Sequence, residues 1–495
     1  MSQQDQELQS VREQEAEAPC APQAVEQAED KEQKGGKKKR DKQPLTPEQK
    51  RSRRLKGLLI AGVVLGCIAV VIGVLAIVNA VGQKGLTTMA QSFDQVDYQG
   101  QQLVPTQGED GRWYFTTDRD LKVMQITDVH VGAGFASFRK DGWALNAVAT
   151  MITQEKPDLV VVTGDVVFPL FVTSGSFRNL PGAKIFGEMM ESLGVYWTMC
   201  MGNHESEAYA VSPLKAVNDL YLHSGWKYCI YTDAEPIDGD RKSFGYGNQV
   251  VEVRNAEGLV KQALVLLDSH SYTGGDVLGA MHKFDNVHLG QIQWYAQEMD
   301  AINARNRLID STVGDCPNML FFHIPTREYR TAWVKVREWM ASDANTTGKD
   351  FTTYQDAYPQ DPIVIDGDVT YVYGVMGESD RVRNGEQTYG VYPGVPDATL
   401  YPVVDGVEQD GLLLQAGFAR NLTAIFCGHD HYNNFSVEYK GVRLTYGMSI
   451  DYLAYSGIWK VRSQRGCTII TVGQDGSFDV TPRNYYEDYD VTQPN

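Results

Sequence analysis

Cysteine is scarce in this sequence: seven residues in 495, with no Cys-x-x-Cys pair among them. The missing pair argues against a zinc-thiolate site. Past residue 82 the cysteines are odd in number (Cys200, Cys229, Cys316, Cys427 and Cys467), so they cannot all pair within the chain. No obligatory disulfide framework is therefore expected. Cys200 and Cys427 fall in strand-like runs, where a buried thiol packs as a small hydrophobe. Residues 1–56 have almost no aromatic or branched apolar side chains; an acidic, Gln- and Ala-rich stretch gives way to a basic run from Lys34 to Lys56. Such a composition cannot bury enough surface to offset its ordering entropy, and a disordered tail is expected.

Charge is absent altogether from Gly57 to Val78. That run matches the roughly 20 apolar residues needed to cross a bilayer, and a transmembrane helix is expected over 57–82. Basic residues crowd its N-terminal side, whereas only Lys84 follows closely. The positive-inside rule then places the N-terminus in the cytoplasm, the anchor in the cell membrane through residues 57–78, and everything after residue 82 outside. Val78-Asn79-Ala80 resembles a signal-cleavage site, but the apolar run exceeds the usual 7–15 residues of a signal h-region, which favours an uncleaved anchor.

Net positive charge is also missing: the chain carries −18, and all of that excess lies beyond the membrane segment. An acidic ectodomain repels nucleic acid, which argues against a nuclease acting on long polyanions. The basic run before the anchor reads as a topology signal and an inner-leaflet contact.

Residues 83–117 are polar and read as a juxtamembrane stalk, and 486–495 as a C-terminal tail. Between them, 118–485 alternate strand-like apolar runs (Leu121–Thr127, Leu159–Thr163, Val195–Met201) with helical spacing, notably Trp143–Gln154 before Pro157. This pattern predicts an α/β domain with βαβ crossovers. Further strands are expected at Phe244–Val253, Leu259–Ser269, Met319–Phe322, Leu422–Cys427, Phe435–Tyr439, Val442–Tyr446 and Cys467–Val472, with a helix over Leu289–Ala304. Residues 331–411 lack regular periodicity and read as a loop-rich insertion. No internal repeat is visible.

Five of the nine histidines fall in one ordered series of short motifs: Asp128-Val129-His130, Gly164-Asp165, Gly202-Asn203-His204-Glu205, His323 and Gly428-His429-Asp430-His431. Each follows a strand-like run, where α/β folds place their sites. Together they supply enough carboxylate, amide and imidazole to hold two divalent metals, a centre suited to phosphate ester hydrolysis.

The series resembles that of the calcineurin-like metallophosphoesterase superfamily, over roughly residues 118–485. The resemblance implies a four-layer αββα sandwich of two mixed sheets. It implies that Asp128, His130 and His431 hold one metal, that Asn203, His323 and His429 hold a second, and that Asp165 bridges them. The ions would be Mn, Fe or Zn. It implies a membrane-anchored phosphomonoesterase acting by attack of a metal-bound hydroxide, with His204 as proton donor; the substrate is a small phosphorylated molecule and not nucleic acid. Glu205 stands where most relatives carry Asp, which weakens any role for it in orienting His204. Phe168 stands where purple acid phosphatases carry their iron-binding tyrosine, three residues after the bridging Asp, and argues against a tyrosinate-iron enzyme. Phe322-His323-Ile324-Pro325 and the segment Gly428–Phe435 look more like small phosphoesterases related to purple acid phosphatases. Two alternatives stay open. One is a phosphodiesterase or pyrophosphatase acting on a cyclic nucleotide, nucleotide-sugar or lipid-linked phosphate; the other is a non-catalytic scaffold on the same fold. His270, Arg327 and Tyr329 are candidates for lining the cleft, with structural roles equally in view; His223, His282 and His288 have no supporting pattern.

Overall fold

The computed structural model describes residues 46–345, 358–455, 458, 465–489 and 491, apart from 208, 278 and 360. The expected tail therefore lies largely outside the described residues. Two compact units are present, Met1–Ala69 and Val70–Asn495. The first described element is a helix, Pro47–Ala90, long and apolar enough to cross a membrane.

Within the larger unit two sheets carry the architecture. The smaller runs Phe478–Asn484, Gly466–Val472, Leu121–Ile126, Leu159–Thr163, Trp197–Cys200, its last three strands parallel. The larger has ten strands, from Thr106–Gln107 and Trp113–Thr116 at one edge, through Gln249–Arg254, Val260–Leu266, Asn318–Phe321, Leu422–Cys427, Val442–Tyr446 and Ser436–Tyr439, to Val369–Tyr373 and Ile363–Val364. Both mix parallel and antiparallel pairs.

Alternation along the strands builds the layers. Val123 and Val161 of the small sheet face inward with Leu264, Leu266, Met319, Phe321 and Phe426 of the large one. Their neighbours Met124, Ile126, Val160 and Val162 face outward, under the helices Phe138–Glu155 and Leu180–Leu193. On the far side the helices Leu289–Ile309 and Arg327–Met340 cover the large sheet through Tyr295, Ile302, Trp333 and Val336. Helix, sheet, sheet and helix give the expected four layers, the metallophosphoesterase fold. Phe321 stacks on Phe426 at 5.0 Å in the middle layer. Truncating such a side chain to alanine costs about 3–5 kcal/mol.

Two boundaries differ from expectation. Residues 83–117 are not a free stalk. The helix runs unbroken to Ala90, burying Leu86 and Ala90, and Val96 donates its N–H to Leu193 O. Trp113–Thr116 then pairs in parallel with Gln249–Arg254 of the large sheet. The polar composition hid this because the strand is only four residues long. The insertion is likewise anchored. Residues 331–340 continue a helix, and Val369–Tyr373 pairs with Ser436–Tyr439. Among its other described residues, Ile363–Val364 pairs with Val369–Tyr373 at the edge of the large sheet, and two short hairpins follow, Val382–Arg383 with Glu386–Gln387 and Val403–Val404 with Val407–Glu408.

Candidate metal centre

One site residue of each motif lies within three positions of a strand end. Asp128 follows Leu121–Ile126, Asp165 follows Leu159–Thr163, Asn203 follows Trp197–Cys200, His323 follows Asn318–Phe321 and His429 follows Leu422–Cys427. The sheets are joined at this edge. Thr127 bridges Ser449 and accepts the Ile450 N–H at 3.2 Å. Turning the chain so sharply costs strain: Asp128, His130, Asp165 and His429 all take positive φ (52°, 55°, 53° and 78°), a region side chains with a Cβ occupy uncommonly. Glycine is needed where loops touch. A Cβ at Gly202 would collide with the Asp165 carboxylate, and one at Gly428 with the Thr127 hydroxyl.

Donor atoms of Asp128, His130, Asp165 and His431 lie within 4.8 Å of one another, all buried. His130 Nε2 is 3.3 Å from Asp165 Oδ2, and His431 Nε2 is 3.2 Å from Asp128 Oδ1. A second group meets the same Asp165 carboxylate: His323 Nε2 is 3.0 Å from Asp165 Oδ2 and 3.0 Å from Asn203 Oδ1. His429 Nδ1 is 2.9 Å from that Asn203 oxygen. The two triads expected from sequence are thus brought together around a shared Asp165.

The electrostatics favour cations. Burial alone would raise the Asp165 pKa, but His323 and His204 beside it bring it well below the usual carboxylate range. Asp451 is held low in the same way by His130 and His431. Burial works against protonated His130 and His323, yet Asp451 and Asp165 respectively outweigh it and hold each near 9. Burial and the neighbouring His323 push His429 well down. Anionic carboxylates with imidazoles, all shielded from water, form a donor set that fits divalent metal ions and contains no thiolate. Asp128, His130, Asp165 and His431 can hold one such ion.

Asp451 is a member of this cluster that the motifs did not reveal. Its two oxygens stand 3.2 Å from His130 Nδ1 and 3.1 Å from His431 Nδ1. The carboxylate is itself fixed by the backbone N–H groups of Leu453, Ala454 and Tyr455, at 2.6, 2.8 and 2.5 Å. The available signal was positional: Asp451 follows the strand Val442–Tyr446, which lies parallel to the strand leading to His429. Glu207 is the second. Its Oε1 is 2.5 Å from His204 Nδ1, while His204 Nε2 points toward Asp165 Oδ2 at 3.8 Å. Glu205 is turned the other way, accepting the backbone N–H groups of Asp165, Val166 and Gly202. Phe168 packs its ring on His130 and His204, at 4.8 and 4.6 Å.

The lesser candidates are structural. Arg327 is buried against Glu386 and Glu408, and Tyr329 donates to Ile425 O at 2.8 Å. His270 meets Gln291 and His288 meets Asp285. The insertion buttresses the last motif: Gly377 N and Glu378 N donate to Asn433 Oδ1, and Tyr392 N donates to Asp430 Oδ2 at 3.0 Å.

Residues 121–335 match the family model of calcineurin-like phosphoesterases. Two Arabidopsis thaliana proteins, named probable inactive purple acid phosphatases 14 and 28, are each 23% identical. The first alignment covers 71% of this chain and 75% of the relative, the second 69% and 73%. A dimetal phosphatase from Danio rerio aligns structurally over 74% of this chain and 97% of its own, with 10% identity and a TM-score of 0.41. Residues 121–335, which hold the first four motifs, are thus similar to calcineurin-like phosphoesterases, and the chain's relatives are named as purple acid phosphatases.

Proposed function

We propose that the protein is a membrane-anchored phosphomonoesterase working through two divalent metals. The observation that carries this reading is the convergence of two imidazole-bearing groups on one Asp165 carboxylate. Cations held there would polarise a phosphate oxygen and make water nucleophilic near neutral pH. The chain's own residues prepare for that. A proton on Nδ1 of His323, given to Thr163 O at 2.8 Å, leaves the Nε2 lone pair facing Asp165. Asp451 does the same for His431 by accepting from its Nδ1 and stands 3.2 Å from His130 Nδ1, so that both rings turn Nε2 to the centre. His204, tied to Glu207 through Nδ1, presents Nε2 at the rim of the cluster, where it can pass a proton to a departing alkoxide. The basic residues before the apolar helix support a cytoplasmic N-terminus and an outward-facing domain.

The relatives' names favour a second reading, a non-catalytic domain on this fold. The two are separated by assaying the full chain in nanodiscs against p-nitrophenyl phosphate and bis-p-nitrophenyl phosphate with added Mn²⁺, beside Asp165→Asn. Monoester turnover that Asp165→Asn abolishes supports the proposal. Preference for the diester moves it to a phosphodiesterase, and bound metal without turnover of either compound supports the non-catalytic reading.

A further inference from the structure

The three parallel strands of the small sheet each end in a loop that carries site residues, and each loop also exposes apolar side chains. Phe135 follows the Asp128–His130 motif, Phe171, Val172 and Phe177 follow Asp165, and Val211, with the half-buried Tyr209 before it, follows Asn203-His204. These side chains form one surface. Phe135 meets Phe171 at 5.9 Å, Phe171 stacks on Phe177 at 5.0 Å, and Phe177 meets Tyr209 at 6.4 Å. Val211 is bonded to Phe177 through the backbone. Val172 is 89% exposed and Val211 65%. Among the described residues, nothing in the domain covers them.

The membrane-length helix meets the same loops. Asn79 Nδ2 donates to Gly175 O at 3.1 Å, and Gln83 Nε2 donates to Ala133 O at 2.8 Å. Gly82 packs on the ring of Phe138, where a Cβ could not fit. Gly57 to Val78 spans about 33 Å at 1.5 Å per residue, close to the roughly 30 Å hydrocarbon thickness, so Asn79 falls at its edge. Val78 and Val81, one turn from these contacts, are themselves exposed. With Gly57–Val78 filling a hydrocarbon layer, the helix would leave it at the residues that hold these loops. Arg139 and Arg178, exposed beside the aromatic surface, supply the cationic rim such a surface presents to lipid headgroups.

We propose that the face formed by Phe135, Phe171, Val172, Phe177 and Val211 lies in the headgroup region of the membrane the helix crosses. The metal cleft then takes its substrate from the bilayer, a phosphomonoester carried on a lipid. This rests on the phosphomonoesterase reading and on the helix as a span. The cleft is within one loop of that face: Phe168 packs on His130 and His204, three residues before Phe171. In the reaction, water oxygen bonds phosphorus as the ester P–O bond breaks. The lipid alcohol takes the proton and stays in the bilayer, and orthophosphate leaves to water.

The test uses the full chain reconstituted in phosphatidylcholine vesicles containing dioleoyl phosphatidate. A fluorophore is placed by Val172→Cys, or by Leu308→Cys as a solvent-exposed control, in a Cys20→Ala, Cys67→Ala, Cys229→Ala background. Doxyl-labelled lipid should quench the Val172 probe about tenfold more strongly than the Leu308 probe, as an interfacially buried site requires. Val172→Asp with Phe177→Asp should cut phosphatidate turnover by about tenfold while p-nitrophenyl phosphate turnover stays within about twofold, since each Asp must leave the interface. Equal quenching at the two positions overturns the proposal, as does a Val172 signal that follows protein density instead of doxyl lipid, which would assign the face to a second copy of the chain. Loss of both activities in the unsubstituted chain with strong Val172 quenching upholds the membrane face and defeats the phosphomonoesterase reading alone.

Discussion

Replacing Asp451 by Asn tests whether one carboxylate sets the affinity of one metal position. Oδ1 of Asp451 accepts the Leu453 and Ala454 N–H groups and lies near His130, while Oδ2 accepts the Tyr455 N–H and faces His431. An asparagine keeps its oxygen where two backbone donors demand it, which puts its NH₂ against His431 Nδ1. Two donors then face each other, and His431 relieves the conflict by moving its proton to Nε2, the atom that should bind metal. Loss of a partner that orients a ligand histidine typically costs 10- to 100-fold in metal affinity, about 1.4–2.7 kcal/mol. The group of Asn203, His323 and His429 does not touch Asp451 and should keep its ion. Equilibrium dialysis against stepped Mn²⁺, read by mass spectrometry of metal per chain, should show two ions in the wild type. In Asp451→Asn one of them should be lost at concentrations where the wild type retains both. A merely structural carboxylate would lower the apo unfolding temperature and release both ions together. Unchanged stoichiometry and midpoints would refute the reasoning.

His204→Ala should lower kcat about 10²- to 10⁴-fold with both metals retained, as loss of a general acid does; steady-state kinetics and metal analysis check it. Glu207→Gln should lower kcat by a smaller factor, about tenfold, because an amide replaces the carboxylate that stands 2.5 Å from His204 Nδ1. If Glu205→Gln impairs turnover and Glu207→Gln does not, the assignment of Glu207 is wrong. Gly202→Ala should destabilise the domain by about 1–3 kcal/mol, since its Cβ meets both the carboxylate and the backbone nitrogen of Asp165; the urea midpoint should fall and metal content with it. Chelation should lower the unfolding temperature, because a site at 100 times its Kd contributes about 2.7 kcal/mol. A melting temperature independent of Mn²⁺ would argue against any resident metal.

Much of the site was legible because its residues sit in tight local patterns. Asp128 and His130, or His429 and His431, are two apart just past a buried apolar run, and the chain direction of that run sets which end of the sheet they reach. Strand Leu159–Thr163 and strand Leu422–Cys427 follow their apolar runs residue for residue. Elements whose residues are polar, or whose partner lies far along the chain, were hidden. Trp113–Thr116 becomes a strand only by pairing with Gln249–Arg254, and Val369–Tyr373 only by pairing with Ser436–Tyr439. Asp451 and Glu207 carry no motif of their own. Each is a carboxylate in a loop, and what gives it meaning is an imidazole nitrogen supplied by a separate turn.

That distinction bears on whether the centre is an active one. A scaffold needs the sheets and their apolar middle layer, which Val123, Leu264, Phe321 and Phe426 supply without any charge. It does not need four non-glycine residues at positive φ, each costing on the order of 1–3 kcal/mol. Nor does it need Asp128, Asp165 and Asp451 buried together, when apolar residues of equal volume are commonly no less stable. Both costs fall on residues around the shared Asp165 carboxylate, and Glu207 adds a further buried carboxylate, which meets His204 at the rim as well as the Tyr272 hydroxyl. Holding metal accounts for the strain and for the carboxylates. It does not account for His204 tied at Nδ1 with Nε2 turned inward, which a proton-transfer role does.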